Sequence, residues 1–338
     1  MTVGRTNPDA TDREKQTEMT PTTLVTMSES STDARPTPSP RRRRFDSGIA
    51  PYAFLVPWFI GLAVFTVGPL IYSLYLSFTD YNLLQHPTWV GLANYRRMFT
   101  ADPRYLHSVK ITLTYVLVSV PVKLVLAFAL ALLLNRPRRG IGLYRSLFYL
   151  PSLLGASVAV ALVWRSLFSQ SGSVNSALGA VGIHGQDWIN NPTWALGTII
   201  VLAGWQFGAP MVIFLAGLKQ IPVELYDAAS VDGAGRWTRW WHVTLPMLSP
   251  IIFFNVLLET VNAFQAFTPA FIVSGGTGGP ADSTLFYTLY LYQQGFTSFK
   301  FGYASAMAWV LLATVAIVTA LLFWASRSLV FYADEGER

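Results

Sequence analysis

The 338-residue chain contains no cysteine, only four histidines and few acidic side chains. Without cysteine it can form no disulfide, thiolate nucleophile or cysteine-ligated metal site. The histidines are scattered, so the sequence predicts no metal site of another kind. Between Ser47 and Ala333 only eight acidic residues occur, and no carboxylate pair or nucleophile motif emerges among them. We therefore expect no catalytic residues in this chain.

Long apolar stretches dominate what remains. Apolar residues make up 52% of the chain, and charged residues make up 12%, about half of the share usual in soluble domains. A helix needs about 20 mainly apolar residues to cross a bilayer. Because backbone polar groups in lipid must be paired within their own segment, the sequence predicts an all-α polytopic membrane protein. Six stretches qualify as transmembrane helices: 51–79, 110–134, 143–167, 195–220, 249–274 and 303–327.

The first 46 residues differ in kind, being rich in Ser, Thr, Pro and charged side chains. They lack the apolar core of a signal peptide, so we expect a disordered tail, a transmembrane domain over 47–333 and a short end over 334–338. The tail ends in Arg41-Arg42-Arg43-Arg44. Such a run also occurs in nucleic-acid-binding segments, but beside a membrane helix it favours a topology signal that touches anionic lipid. No nucleic-acid partner is expected.

The distribution of Lys and Arg predicts the orientation in the membrane. With a cytoplasmic N-terminus, thirteen of these side chains fall on inner segments and five on outer segments. Positive charge collects on the cytoplasmic side of membrane proteins. Both termini and the polar segment 221–246 are therefore expected in the cytoplasm.

Segment 221–246 is a polar insert between two apolar stretches. Asp227-Ala228-Ala229 favours a helix, and Asp232-Gly233 predicts a break, since glycine accepts backbone angles that other residues resist. A second short helix is expected from Gly235 to Val243 and should end at Leu245-Pro246. The prediction is a helix-bend-helix with a projecting corner at Gly233.

Ten residues of this insert fall at the fixed spacing of a known motif: Asp227, Ala228, Ala229, Asp232, Gly233, Ala234, Trp240, Val243, Leu245 and Pro246. At these positions the chain resembles the signature loop of ABC importer permeases. Asp227 stands where the family has glutamate, and Trp240 occupies the position of the usual aromatic residue.

Other segments resemble permeases of the maltose-type carbohydrate uptake family, also called binding-protein-dependent transport system inner membrane components. Among them are Phe54-Leu55-Val56-Pro57, Gly91-Leu92-Ala93-Asn94-Tyr95 and the glycine-rich run 275–280. The resemblance implies a MetI-like permease fold with six transmembrane helices. It also implies a bacterial inner-membrane location and import of a sugar by alternating access.

The same resemblance implies partners for the insert. In the family this loop docks on a cytoplasmic ATPase, and the transporter contains a second permease, two ATP-binding subunits and an extracytoplasmic solute-binding protein. The chain itself has no Gly-x-x-x-x-Gly-Lys-Ser/Thr, so ATP and Mg would be used by the partners and this chain would bind no cofactor. The alternative reading is an amphipathic segment anchored in the lipid headgroups by three tryptophans.

A polar stripe in the fifth stretch marks a possible solute site. Asn255, Glu259, Asn262, Gln265 and Thr268 recur every three or four residues, which places them on one slowly drifting helical face. A charge near the bilayer centre costs roughly 2.5–3.5 kcal/mol, so Glu259 indicates a function or a partner. The family resemblance puts Asn262 first as a sugar contact, followed by Gln265 and Glu259.

Two further features bear on that site. Lys123 lies at nearly the same predicted depth as Glu259, so a buried ion pair between them is an alternative explanation for the carboxylate. In the fourth stretch Trp205 and Gln206 could stack on and hydrogen-bond a sugar where glycine and proline loosen the helix. Close helix packing through Gly204 and Gly208 explains the same glycines equally well.

Three readings remain open from the residues alone. The first is the sugar-importing permease, for which a neutral mono- or oligosaccharide is expected, because an uncompensated Glu259 would disfavour an anion. A permease for another solute, such as glycerol phosphate, is a variant of it. The others are an ion-coupled secondary transporter, in which an internal repeat would be expected, and a polytopic membrane enzyme.

Overall fold

The computed structural model describes residues 50–137, 139–155 and 157–329, with side chains from Leu55 to Arg327. The predicted tail 1–46, with its arginine run, and the end 334–338 lie outside the described residues. Pro57–Arg338 forms one compact unit, and Met1–Val56 is assigned to another, of which Ala50–Val56 is described and helical. The boundaries of the three predicted regions thus stay predictions.

The described part is mostly helical, as predicted. One two-residue antiparallel ladder joins β1 (Thr79–Asp80) to β2 (Thr88–Trp89). Three π-helical turns, Ala63–Val67, Trp240–Thr244 and Gln293–Thr297, interrupt the α-helices. The α-helices are α1 Ala50–Leu62, α2 Gly68–Ser77, α3 Ala93–Thr100, α4 Pro103–Leu134, α5 Ile141–Leu154, α6 Val158–Leu167, α7 Ser173–Ala180, α8 Ala195–Trp205, α9 Gly208–Gln220, α10 Val223–Val231, α11 Arg236–Arg239, α12 Leu245–Phe264, α13 Thr268–Val273, α14 Tyr287–Tyr292 and α15 Phe301–Leu329.

Five helical runs in the described part are long and apolar enough to cross a membrane. A sixth is obtained if the bent pair α5 and α6 counts as one span. The six predicted stretches are therefore found, with changes in the third and fifth. The five runs are Leu55–Ser77, Pro103–Leu134, Ala195–Gln220, Arg236–Phe264 and Phe301–Arg327.

The third stretch, expected to be a continuous helix over 143–167, bends by 100° between α5 and α6. Gly155 follows α5 with a φ of +58°, in the region that favours glycine. Ser157 then starts α6, its hydroxyl accepting a hydrogen bond from the Val160 N–H at 3.3 Å. A helix stop followed two residues later by an N-cap explains why an apolar stretch of span length does not form one straight helix.

The fifth stretch also differs from its prediction. Helix α12 ends at Phe264. The backbone leaves the helical conformation at Gln265, and the next helix, α13, begins at Thr268. At its other end, α11 continues through a π turn into α12, so the expected stop at Leu245-Pro246 was wrong. A proline removes one N–H from a helix, and a π turn just before it accommodates the freed carbonyl.

Helix α4 lies at the centre of the bundle and packs against α8, α9, α12 and α14. Its small buried side chains, among them Ala127 and Ala131 with no exposed surface, allow close approach of its neighbours. Helix α15 packs against α2, and α13 packs against α6. This arrangement positions one face of α4 opposite the break between α8 and α9 and opposite the end of α12.

Candidate functional sites

A polar cavity of ≈390 Å³ lies where α4, α12, the break after α8 and the break before α13 meet. Helix α4 contributes Tyr115, Ser119 and Lys123, which are four residues apart and so share one helical face. The sequence reasoning missed the first two residues, although their four-residue spacing with Lys123 was visible. The other polar lining residues are Gln206, Glu259, Asn262, Gln265 and Thr268.

The predicted pair between Lys123 and Glu259 is confirmed. The Lys123 Nζ atom donates to Glu259 Oε2 at 2.7 Å, and the two side chains are 16% and 12% exposed. The sequence left two alternatives for Glu259, a place in the solute site or an ion pair with Lys123. The structure shows Glu259 both at the cavity and in the pair. Because the two charges compensate each other, the expectation that Glu259 disfavours an anionic solute loses its basis.

Four of the five residues predicted to bind solute line this cavity, namely Asn262, Gln265, Glu259 and Gln206. The predicted polar stripe is not one continuous helical face, because Gln265 follows the end of α12 and Thr268 begins α13. Trp205 does not line it. Its ring lies 6.0 Å from the ring of Trp164, on another side of the helix. The aromatic residues at the cavity are instead Tyr115 and Phe267.

Gln206 occupies the break between α8 and α9, where the sequence predicted a loosened helix. Its side-chain amide donates to the Gly155 carbonyl at 3.1 Å, and its own carbonyl accepts from the Ser152 hydroxyl at 3.1 Å. A Cβ added to Gly208 would lie 2.8 Å from the Phe148 carbonyl oxygen. The helix is therefore both interrupted between α8 and α9 and closely packed against α5, because Gly208 touches the backbone of α5.

Asn255, the remaining amide of the predicted stripe, lies away from the cavity. It is 1% exposed, and its side chain donates to the Ile251 carbonyl of its own helix at 3.0 Å. This bond satisfies the amide within α12, so Asn255 is a packing residue.

The insert forms the predicted helix-bend-helix, with α10 before the bend and α11 after it. Gly233 has a φ of +76°. The Ala234 N–H donates to the Ala229 carbonyl at 2.9 Å, and the Gly233 N–H donates to the Ser230 carbonyl at 3.1 Å. These two bonds are the Schellman motif, which closes a helix end around a left-handed residue. The corner is thus a defined structure.

Two side-chain contacts fasten α10 to the following helix. The hydroxyls of Tyr226 and Thr244 lie 3.0 Å apart, and Arg239 donates to the Ser230 hydroxyl at 2.8 Å. Val231, next to the corner, is 88% exposed. Of the predicted coupling residues, Asp227, Ala228, Asp232 and Gly233 are exposed, whereas Ala229, Ala234 and Trp240 are half-buried.

Trp240 faces the bundle. Its ring centroid is 6.5 Å from that of Phe128 on α4 and 4.6 Å from that of Trp241. This contact joins the insert to α4, the helix that also carries Lys123.

A second polar cluster, which the sequence reasoning did not find, lies at the opposite end of α4 from the insert. Asp102 caps α4 and accepts hydrogen bonds from the hydroxyls of Tyr290 at 2.7 Å and Tyr303 at 2.6 Å. Burial raises the pKa of Asp102. Hydrogen bonds from Tyr303, Tyr290 and the Tyr105 N–H lower the pKa by more than burial raises it, so the pKa lies below the ordinary value. Beside it Arg104 forms a two-bond pair with Asp282 at 2.7 and 2.8 Å.

Residues 98–331 match the family described as the binding-protein-dependent transport system inner membrane component. The chain is 52% identical over 290 residues to the probable ABC transporter permease protein YesP of Bacillus subtilis, covering 86% of this chain and 94% of that protein. It is 34% identical to the lactose transport system permease protein LacF of Rhizobium radiobacter, covering 82% of this chain and 93% of that protein.

The fold is also similar to a chain of a solved structure, that of a bacterial ABC transporter involved in the import of the acidic polysaccharide alginate. The TM-score is 0.71 at 22% identity, and the match covers 82% of this chain and 95% of the other. The MetI-like permease fold predicted from the sequence is confirmed, and the readings as a secondary transporter or a membrane enzyme are set aside. On the family match and the length of the shared sequence, the chain belongs to the binding-protein-dependent transport system inner membrane components.

Proposed function

We propose that the chain is the permease subunit of an ATP-driven ABC importer that moves a mono- or oligosaccharide into the cytoplasm by alternating access. The observation that carries the proposal is the polar cavity at α4 and α12, connected through Trp240 and Phe128 to an exposed, rigid corner. The relatives named above include a lactose permease and a permease fold from an alginate importer, which supports a sugar as the solute.

The chemistry of the cavity fits a hydroxyl-rich solute. Asn262, Gln265 and Gln206 supply amides that both donate and accept, and each hydrogen bond to a sugar hydroxyl contributes about 0.5–1.5 kcal/mol. Tyr115 and Phe267 supply rings for the apolar face of a sugar, in the place of Trp205. Glu259 and Lys123 together offer a charged acceptor and donor without net charge.

The insert would transmit conformational changes of a separate ATPase to the transmembrane helices. The exposed face with Asp227, Ala228, Asp232 and Gly233 would dock on a cytoplasmic ATP-binding subunit, and closure of two such subunits would turn the cavity outward. This role places the insert and both termini in the cytoplasm, in agreement with the distribution of Lys and Arg. A second permease, an extracytoplasmic solute-binding protein and surrounding lipid complete the assembly, and ATP and Mg belong to the partners.

Uptake of radiolabelled lactose and other sugars by the complete transporter in proteoliposomes, with ATP supplied to the ATPase side, tests this proposal. Asn262→Ala should raise the KM about two- to tenfold, the equivalent of one hydrogen bond. Asn255→Ala, an amide on the same helix outside the cavity, is the matched control and should leave the KM unchanged. Uptake that proceeds at full rate without ATP or ATPase subunits would contradict the proposal.

A further inference from the structure

A second polar pocket of ≈270 Å³ lies one short helix away from the cavity. Arg165 at the end of α6 lines it, together with residues from the turn before α8 and from the loop after α13. Val273 and Ser274 at the end of α13 face this pocket, whereas Thr268 and Pro269 at the start of α13 face the first cavity. Six residues of helix separate the two sites by about 9 Å, which is comparable with the length of a disaccharide.

Arg165 is exposed and forms no ion pair with the described residues. Within the described residues no carboxylate lies at ion-pair distance from its guanidinium, which is within 4 Å of the position that a Cβ on Gly275 would take. Two acidic groups close to the pocket lining in sequence are engaged elsewhere. Asp282, between Pro280 and Thr284, binds Arg104, and Asp187 accepts from the backbone and side-chain amides of Asn190 at 3.0 and 2.8 Å. A guanidinium with free donors is suited to a planar anion such as a carboxylate.

Thr284 also lines the pocket. Thr284 is 1% exposed, and its Oγ1 atom has no hydrogen-bond partner among the described residues. A buried polar atom without a partner costs about 1–3 kcal/mol, so a ligand that bonds to it would recover that loss. The Asn190 amide, the Ser274 hydroxyl and the Thr277 hydroxyl line the same pocket.

We propose that the Arg165 pocket is a second solute subsite that binds the carboxylate of an acidic sugar unit, while the neutral cavity at Lys123–Glu259 binds the adjoining unit. The inference rests on the proposed sugar import and names a substrate class for it, an oligosaccharide with at least one uronic acid. Arg165 sets the preference for the anion, because the charges of the first cavity cancel.

The absence of native cysteine allows a direct test on the intact transporter in proteoliposomes. Thr277→Cys places a single thiol in the exposed part of the pocket, and Gln85→Cys places one in the loop between β1 and β2 as the matched control. Each thiol is labelled with an anionic and with a cationic methanethiosulfonate, which forms a mixed disulfide and releases methanesulfinate. The ratio of the two labelling rates reports the local charge.

Adding Arg165→Gln should slow anionic labelling at position 277 and speed cationic labelling there, each about fivefold, as expected for one unit charge at ~4 Å in water. The anionic-to-cationic rate ratio should therefore fall roughly 25-fold at position 277 and should not change at position 85. Glucuronate should slow labelling at 277 more than glucose does, and Arg165→Gln should abolish this difference. An unchanged ratio, equal protection by both sugars, or protection by the sugar-free solute-binding protein alone would overturn the proposal. ATP-driven sugar uptake by the transporter with Thr277 and Arg165 intact keeps the proposed function separate, since only a lack of uptake there would refute import itself.

Discussion

The Lys123–Glu259 pair makes the sharpest prediction about how this bundle is held in the membrane. Lys123→Met leaves an unpaired carboxylate, and Glu259→Gln leaves an unpaired ammonium, in each case beside a polar cavity. Removing one partner of a dry buried pair costs about 3–5 kcal/mol. Both side chains retain some exposure, so the smaller cost of a charge on the insertion scale, roughly 2.5–3.5 kcal/mol, is the better guide.

The assay measures two quantities, the amount of membrane-inserted permease and the rate of uptake per inserted molecule. We expect each single variant to lower the inserted amount, and the exchange Lys123→Glu with Glu259→Lys to restore it. Uptake per molecule should recover in the exchange only if neither charge contacts the solute, which separates a structural from a binding role. An exchange variant inserted no better than the singles would refute the pair.

Three further predictions concern the corner, the polar cluster around Asp102 and the packing of the fourth span. Gly233→Ala should cost about 1–2 kcal/mol at its left-handed φ and lower solute uptake per ATP hydrolysed. Gly235→Ala, at a φ of −66° with open space around it, removes only a favourable N-cap residue and should have the smaller effect on both quantities. Asp102→Asn should lower the melting temperature of the solubilised permease at neutral pH, since a hydrogen bond to a charged group contributes about 1.5–3 kcal/mol. The pKa of Asp102 is depressed, so its stabilisation is present above the ordinary value and is lost as pH falls through the folded-state pKa; an equal melting temperature of variant and parent at pH 7 would contradict this. Gly208→Ala should destabilise the permease by about 1–3 kcal/mol, because its Cβ would meet backbone atoms of α5, whereas Gly197→Ala, with nothing within 4 Å, should be neutral or stabilising in a thermal melt.

The sequence predicted the features that depend on local pattern. Hydropathy located all six stretches, and the backbone requirement of Gly233 located the corner. The pair of Lys123 and Glu259 followed from helical rise alone, because both lie in long helices whose depth can be counted. The bend of the third stretch could also have been predicted, since Gly155 and the N-cap Ser157 lie only two positions apart.

Features that depend on rotation or on distant contacts were not predictable in this way. Trp205 was predicted to contact the solute but does not line the cavity. Helical spacing does not say which face of α8 meets the cavity, and the break at Gln206 changes the direction in which the following side chains point. The cluster at Asp102 joins residues 188 and 201 positions apart in the chain, and no local pattern announces it. The Arg165 pocket likewise needs the bend that brings α6 against α13.

Central to the proposed function is that the corner at Gly233 would lie in the cytoplasm and would bind a separate ATPase. Val231→Cys places the only thiol of the chain next to Gly233, at a side chain that is 88% exposed. A membrane-impermeant maleimide should label it in inside-out vesicles and not in right-side-out vesicles, and the ATPase subunits should block that labelling in the assembled transporter. Labelling from the outer side, or labelling in inside-out vesicles that the ATPase subunits leave unchanged, would contradict the account.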